Sequence, residues 1–162
     1  MQRLVSHCKG IWVRNMERFR LLGTLALVTL LSSDVVLIGL GGGLGSVARY
    51  LVGKLIHEGS GENVFPIGTL VVNVLGCFFL GMLIGVFLEQ GSHRVTGWLN
   101  FLGTGFCGGF TTFSALQWET VRLIHDGRWV VAAVNVGLSI FAGLVGIVVG
   151  YLIGRWVSFY VD

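Results

Sequence analysis

The residues with the clearest potential for chemistry lie at 103–114, Gly-Thr-Gly-Phe-Cys-Gly-Gly-Phe-Thr-Thr-Phe-Ser, in the middle of an otherwise apolar stretch. This density of glycines and hydroxyls is unfavourable in a plain membrane helix, because every backbone polar group at that depth needs a partner in the protein or in a water-lined cavity. Broken membrane helices are typical of ion and substrate sites. The segment therefore predicts a helix break that binds or passes an ion.

Uncharged hydrogen-bond donors accompany this break on two other apolar stretches. Thr69 and Asn73 are four residues apart, as are Asn135 and Ser139, so each pair shares one face of a helix. A buried amide finds its partners either in a bond between helices or by donating N–H groups to an anion in a pore. Thr69 is assigned to a helix interface. The predicted pore-lining set is Asn73, Phe110, Thr112, Phe113, Ser114, Asn135 and Ser139.

The sign of the ion follows from the positions of the acidic residues. Asp34 and Glu119 lie towards the ends of their stretches, whereas proton-coupled carriers and cation pumps need an acidic residue embedded in the membrane. A pathway lined by donors suits a small anion, and the ring edges of Phe110 and Phe113 add positive potential. Arg49 fits a cation at the mouth of this pathway, although an arginine near a helix end often reaches the interface without further role.

The carbonyl groups freed by the break have the opposite preference. They accept hydrogen bonds and bind cations, so the stretch 108–111 suits a cation or a second backbone rather than an anion. We therefore expect an ion such as Na⁺ to be buried at the break between two copies of the chain.

Composition defines the elements that must position these residues. Of 162 residues, 54% are hydrophobic and 12% charged, whereas soluble domains average about 25% charged residues. The chain is therefore predicted to be an all-α membrane protein. Four stretches are long enough to cross a bilayer, namely 35–56, 66–88, 98–124 and 129–153. Their short connections predict antiparallel neighbours, and a domain this small predicts an oligomer.

Glycines recur at four-residue spacing along these stretches, which lets membrane helices approach closely. The sets are Gly41/Gly45, Gly81/Gly85, Gly105/Gly109 and Gly146/Gly150/Gly154. Residues 43–48 also fit the G-x-G-x-x-A fingerprint of dinucleotide binding, but that fingerprint requires a preceding strand. Close helix packing explains the run better.

Other chemistry finds no support in the residue pattern. The four histidines and three cysteines show neither metal-ligand nor disulfide spacing, and no nucleophile–base pair can be argued. An enzyme is therefore not expected. The net charge of +3 is modest, and five of the eleven Lys and Arg residues precede the first apolar stretch. This indicates membrane orientation rather than nucleic-acid binding.

Residues 1–33 form a basic, then apolar leader, followed by a four-helix domain at 34–157 and a tail at 158–162. The leader fits a cleaved signal peptide, an interfacial helix, a longer first span or an early start of translation. Without it, the bias of basic residues between the membrane sides is weak and permits both orientations, whereas with it the N-terminus is expected inside. One side carries Arg94 and Arg155; the other carries Arg49, Lys54, Arg122 and Arg128.

Three motifs together resemble the CrcB/Fluc family of fluoride channels. They are residues 41–50 (GGGLGSVARY), 68–76 (GTLVVNVLG) and 105–114 (GFCGGFTTFS), in the family's order and spacing. The resemblance implies an antiparallel, dual-topology dimer of four-helix subunits, each with its third helix broken at the centre. It also implies two fluoride pores and a structural Na⁺ at the dimer interface.

The resemblance also implies roles by motif position. Gly108 and Thr111 would supply the carbonyls that hold Na⁺, and Arg49 would lie at the pore vestibule. Asn73 would line the pore, together with Phe113, Ser114 and Ser139.

The chain departs from the family pattern at three places. Ala115 and Leu116 stand where members usually have a hydroxyl residue and a phenylalanine, Asn135 stands where many have a tyrosine, and the leader is additional. These departures leave open whether the partner is a second copy or a paralogous subunit.

The expected function is a multi-pass channel in the lipid of a bacterial inner membrane, which exports cytoplasmic fluoride and so lowers its toxicity. Two alternatives stay open. A small multidrug carrier needs an acidic residue central in its first span, and a non-transporting membrane assembly protein predicts no ion dependence.

Overall fold

The computed structural model describes residue 22 and residues 33–60, 65–87 and 93–161. The chain divides into two compact units, Met1–Val36 and Leu37–Asp162, and nearly all described residues belong to the second. Apart from Leu22 and Ser33, the predicted leader lies outside the described residues.

Every element in these described ranges is helical, as predicted for an all-α protein. The elements are α1 (Ser33–Ser60), α2 (Ile67–Phe87), α3 (His93–Trp98), a π-helix (Leu99–Cys107), α4 (Gly108–Phe110), α5 (Phe113–His125) and α6 (Trp129–Val161).

Three of these helices are long and apolar enough to cross a membrane. They contribute Ser33–Ile56, Ile67–Phe87 and Trp129–Tyr160, with mean hydropathies of 1.6, 2.5 and 2.4. These segments overlap three of the four stretches predicted from the sequence. The remaining stretch, 98–124, is divided among several shorter elements. Its crossing of the membrane stays a prediction.

Helix α2 packs mainly against α6, and glycines on both helices bring the two backbones into contact. A methyl group at Gly81 would clash with the carbonyl oxygen of Ile147 on α6. One at Gly150 would likewise clash with the carbonyl oxygen of Phe78 on α2. The close approach predicted from the four-residue glycine spacing is therefore confirmed for this pair.

Helix α1 lies against the π-helix and α4 by the same means. A methyl group at Gly41 would clash with the carbonyl oxygen of Phe101, and one at Gly109 with that of Gly42. The G-x-G-x-x-A run at 43–48 lies inside α1, so helix precedes it where the dinucleotide fingerprint requires a strand. Gly45 of this run serves helix packing, because a methyl group there would clash with the carbonyl oxygen of Phe106, and this packing places the break beside α1.

The helical path is interrupted at Thr111 and Thr112, whose ψ angles of 157° and 112° are extended. A nine-residue π-helix leads towards this point, and π-helical turns are frequent at functional sites. The sequence placed the freed backbone at 108–111, whereas Gly108–Phe110 is helical. The interruption lies later in the chain than predicted, because side chains of α1 and α2 form hydrogen bonds with the extended backbone of Thr111 and Thr112.

Candidate functional site

Asn73 on α2 pairs with the backbone of Thr112 at the centre of the interruption. Its Nδ2 donates to the Thr112 carbonyl oxygen at 3.0 Å, and the Thr112 N–H donates to its Oδ1 at 2.7 Å. The amide thus bonds both backbone groups of Thr112, an extended residue at the N-cap of α5. The sequence left two alternatives for Asn73, a hydrogen bond between helices and donation of N–H groups to an anion. The structure shows a bond between helical elements. The bond to Thr112 uses one of the two N–H groups of the amide.

Helix α1 reaches two further carbonyl groups next to the interruption. Ser46 Oγ donates to the Gly109 carbonyl at 3.4 Å, and Arg49 Nη1 donates to the Thr111 carbonyl at 3.3 Å. Of the two residues predicted to hold Na⁺, Thr111 therefore has its carbonyl beside a guanidinium. Gly108 is exposed, and a methyl built there meets no described atom within 4 Å.

A cavity of about 1020 Å³ opens beside the interruption, between α1, the start of α2 and α5. The four basic residues that the sequence assigns to one membrane side all line it: Arg49, Lys54, Arg122 and Arg128. Two acidic residues, Glu119 and Asp126, also belong to the lining. Basic residues in excess around a concave, partly apolar wall raise the local concentration of anions.

Thr69 and Glu119 form a pair in the cavity wall. Thr69 Oγ1 donates to Glu119 Oε1 at 2.5 Å, and Glu119 Oε2 is buried without a hydrogen-bond partner among the described residues. The sequence assigned Thr69 to a helix interface and set Glu119 aside because it lies towards the end of its stretch. The signal that could have predicted this pair is the helix face that Thr69 shares with Asn73. Both residues bond to the segment 112–119, Asn73 to Thr112 and Thr69 to Glu119.

The remaining residues of the break face different surroundings. Phe110 is 6% exposed, and its ring stacks on Phe106 with 5.9 Å between centroids, whereas Phe113 is 73% exposed. Thr112 caps α5, because its Oγ1 accepts from the Ala115 N–H at 3.2 Å, and its hydroxyl lies 3.3 Å from that of Ser114. The structure therefore buries one of the two phenylalanines and exposes the other, and it brings Thr112 and Ser114 together in the cavity lining.

Asn135 and Ser139 share one face of α6, as their spacing predicts, but neither lines the cavity. Both are buried, and Asn135 Nδ2 donates to Thr120 Oγ1 on α5 at 3.3 Å. Thr120 is a partner that sequence reasoning missed, because its position in α5 carries no motif. The predicted pore role of Asn135 and Ser139 stays a prediction.

Fold and site together define a multi-pass, α-helical membrane protein whose interrupted helical segment borders a basic cavity. The model of the family described as CrcB-like protein, Camphor Resistance (CrcB), matches residues 36–151. The chain belongs to the CrcB family.

Proteins named fluoride-specific ion channel FluC are similar to this chain along most of their own length. The one from Coxiella burnetii (strain CbuK_Q154) is 46% identical over 122 residues, which cover 75% of this chain and 98% of that protein. Those from Azobacteroides pseudotrichonymphae genomovar CFP2 and Pyrococcus abyssi (strain GE5 / Orsay) are 40% and 38% identical, and each match covers 74% of this chain and 94% of the relative. The resemblance found from the three motifs is confirmed.

Proposed function

We propose that this chain is a fluoride-specific ion channel that lets cytoplasmic fluoride leave the cell down its gradient. The names of its relatives support this function. The observation that carries it is the interrupted segment, where Asn73 holds an extended Thr112 at the edge of a cavity lined by basic residues. The chain transports an ion and is not an enzyme.

Fluoride enters the pathway through the basic cavity, and Arg49 forms its vestibule beside Thr111. Fluoride is small and holds its water tightly, so a narrow pathway must replace that water with hydrogen-bond donors. The second N–H group of Asn73 and the one hydroxyl proton that the bond between Thr112 and Ser114 leaves free supply such donors next to the cavity. The predicted lining continues with Phe110, Phe113, Asn135 and Ser139. Narrowness and these donors select against chloride.

The conducting unit is an antiparallel, dual-topology dimer in which residues 93–125 form a third membrane span broken at its centre. Na⁺ lies at the interface on the carbonyls of Gly108 and Thr111. The exposure of Gly108 at the subunit surface supports this placement. The Thr111 carbonyl accepts from Arg49 and keeps a second lone pair for the ion.

The channel domain at 34–157 lies in the bacterial inner membrane, with a short tail at 158–162. The basic leader at 1–33 favours one orientation. An oriented chain pairs more readily with a paralogous subunit, whereas a chain inserted in both orientations pairs with itself.

The first test is fluoride efflux from liposomes that contain only the purified chain, followed with a fluoride electrode and compared with chloride efflux and with empty liposomes. Fast efflux of fluoride but not chloride is the expected result. A folded dimer without efflux would indicate a required paralogous subunit, which co-expression then tests. The proposal would be overturned if neither the chain alone nor the chain co-expressed with a paralogous subunit passed fluoride in preference to chloride. Proton-coupled uptake of an organic cation would favour a multidrug carrier.

Substitution of Arg49 by glutamine is expected to lower fluoride efflux about tenfold at low ionic strength and less at high ionic strength. The reason is that attraction of anions by exposed charges is screened by salt over about 10 Å at 0.1 M. Efflux is measured from 10 mM to 500 mM salt. Arg155→Gln is the control, because Arg155 is outside the cavity lining. Equal salt dependence in both variants would contradict the vestibule role.

A further inference from the structure

A second polar cluster lies between α5 and α6, apart from the cavity. It consists of the Leu116 carbonyl, the side chains of Thr120 and Asn135, and Ser139 one turn beyond Asn135 on the same face of α6, and it is called the α5–α6 cluster below. Thr120 Oγ1 lies 2.7 Å from the Leu116 carbonyl oxygen, and Asn135 Nδ2 lies 3.3 Å from Thr120 Oγ1. Leu116, Asn135 and Ser139 are all buried.

The direction of each hydrogen bond in the α5–α6 cluster is determined by elementary chemistry. A carbonyl only accepts, so the single hydroxyl proton of Thr120 goes to the Leu116 oxygen. Thr120 Oγ1 can then only accept from Asn135, which places the NH₂ group of the amide against it. The carbonyl oxygen of the amide is thereby turned away from Thr120. This orientation follows from the donor–acceptor network of the cluster.

Two oxygens of the α5–α6 cluster have no hydrogen-bond partner among the described residues: Asn135 Oδ1 and Ser139 Oγ. Asn135 is 0% exposed and Ser139 7% exposed. The two residues are one helical turn apart on the same face of α6. Buried water molecules in proteins bind otherwise unpaired polar groups of this kind, and each needs at least two polar partners.

We propose that Asn135 Oδ1 and Ser139 Oγ bind one buried water molecule, and that Thr120 is the positioning residue that orients the amide towards it. The ligand must donate a proton to Oδ1, which only accepts, so an anion does not fit there. Water donates one proton to Oδ1 and the other to Ser139 Oγ. The hydroxyl proton of Ser139 is then left to donate to a passing anion.

This inference rests on the proposed function, because it makes Thr120 a determinant of fluoride flux without lining the cavity. We expect Thr120→Val, which keeps the shape but removes the hydroxyl, to lower fluoride efflux about tenfold, the size of one lost hydrogen bond. Thr120→Ser restores the hydroxyl and is expected to restore efflux. In a Ser139→Ala background, Thr120→Val is expected to have little further effect, because both changes act through the same hydroxyl.

Efflux from the wild-type protein is measured in the same liposomes, to distinguish failure of this inference from failure of the proposed function. A wild-type chain that passes no fluoride overturns the proposed channel function but not the water site. The water site has its own readout, a high-resolution structure. Density within hydrogen-bond distance of Asn135 Oδ1 and Ser139 Oγ supports the site, and its loss in Thr120→Val supports the positioning role. A wild-type map without this density overturns the water site. The positioning role is overturned if Thr120→Val passes fluoride at the wild-type rate, or if the effects of Thr120→Val and Ser139→Ala on efflux are additive.

Discussion

Substitution of Asn73 by aspartate is expected to abolish fluoride efflux while the protein still folds. The new carboxylate still accepts from the Thr112 N–H but cannot donate to the Thr112 carbonyl, which now faces a negative charge. A partly buried mismatch of this kind costs about 3 kcal/mol, equivalent to a loss of about 100-fold in rate. The negative charge also repels fluoride from the edge of the cavity. Efflux from liposomes and size-exclusion chromatography measure the two effects separately.

Asn73→Leu is the matched comparison, because leucine has a similar size and no polar atoms. It leaves both Thr112 groups without their amide partner, so we expect it to lose efflux and also thermal stability. Normal efflux from Asn73→Asp would exclude Asn73 from the pathway and from control of the interruption.

The second large effect is expected at Gly150, where alanine should destabilise the protein by about 2 kcal/mol through overpacking. The added methyl meets backbone atoms of Phe78 and Met82 on α2. Backbone atoms cannot rotate aside as a side chain can, so α2 and α6 must move apart. A lower thermal midpoint in detergent, followed by loss of the monodisperse chromatographic peak, measures this effect.

Gly137→Ala is the control on the same helix. A methyl at Gly137 meets no described atom within 4 Å, and alanine favours a helix over glycine by about 1 kcal/mol. This variant should be as stable as the wild type or more so. Equal loss of stability in both variants would mean that the contact between α2 and α6 does not depend on the absence of a side chain at Gly150.

The interruption is held from two sides, which explains why these helices must pack closely. Asn73 on α2 bonds Thr112, while Ser46 and Arg49 on α1 bond Gly109 and Thr111. The short side chains of Ser46 and Asn73 reach the backbone of another helical segment only where the two segments lie close together. The glycines of α1 and α4 allow such close packing. The packing glycines and the polar site are thus parts of one arrangement.

The sequence by itself determined the class of protein, three of the helices of membrane-spanning length, the glycine contacts between helices and the family. The length of an apolar stretch and the four-residue spacing of glycines are local properties of the sequence. In a helix, they directly give the membrane-spanning length and the face along which the glycines lie. The three motifs at 41–50, 68–76 and 105–114 are local as well, and this is why they suffice for the family.

Only the tertiary structure decided how the polar residues are used. It moved the interruption to Thr111 and Thr112, gave Asn73 a backbone partner 39 residues away and paired Thr69 with Glu119 across 50 residues. It also buried Phe110 while exposing Phe113, although both belong to one motif. A hydrogen bond depends on a few tenths of an ångström between segments that are distant in sequence. No local pattern encodes such a distance, because it is the packing of whole helices that sets it.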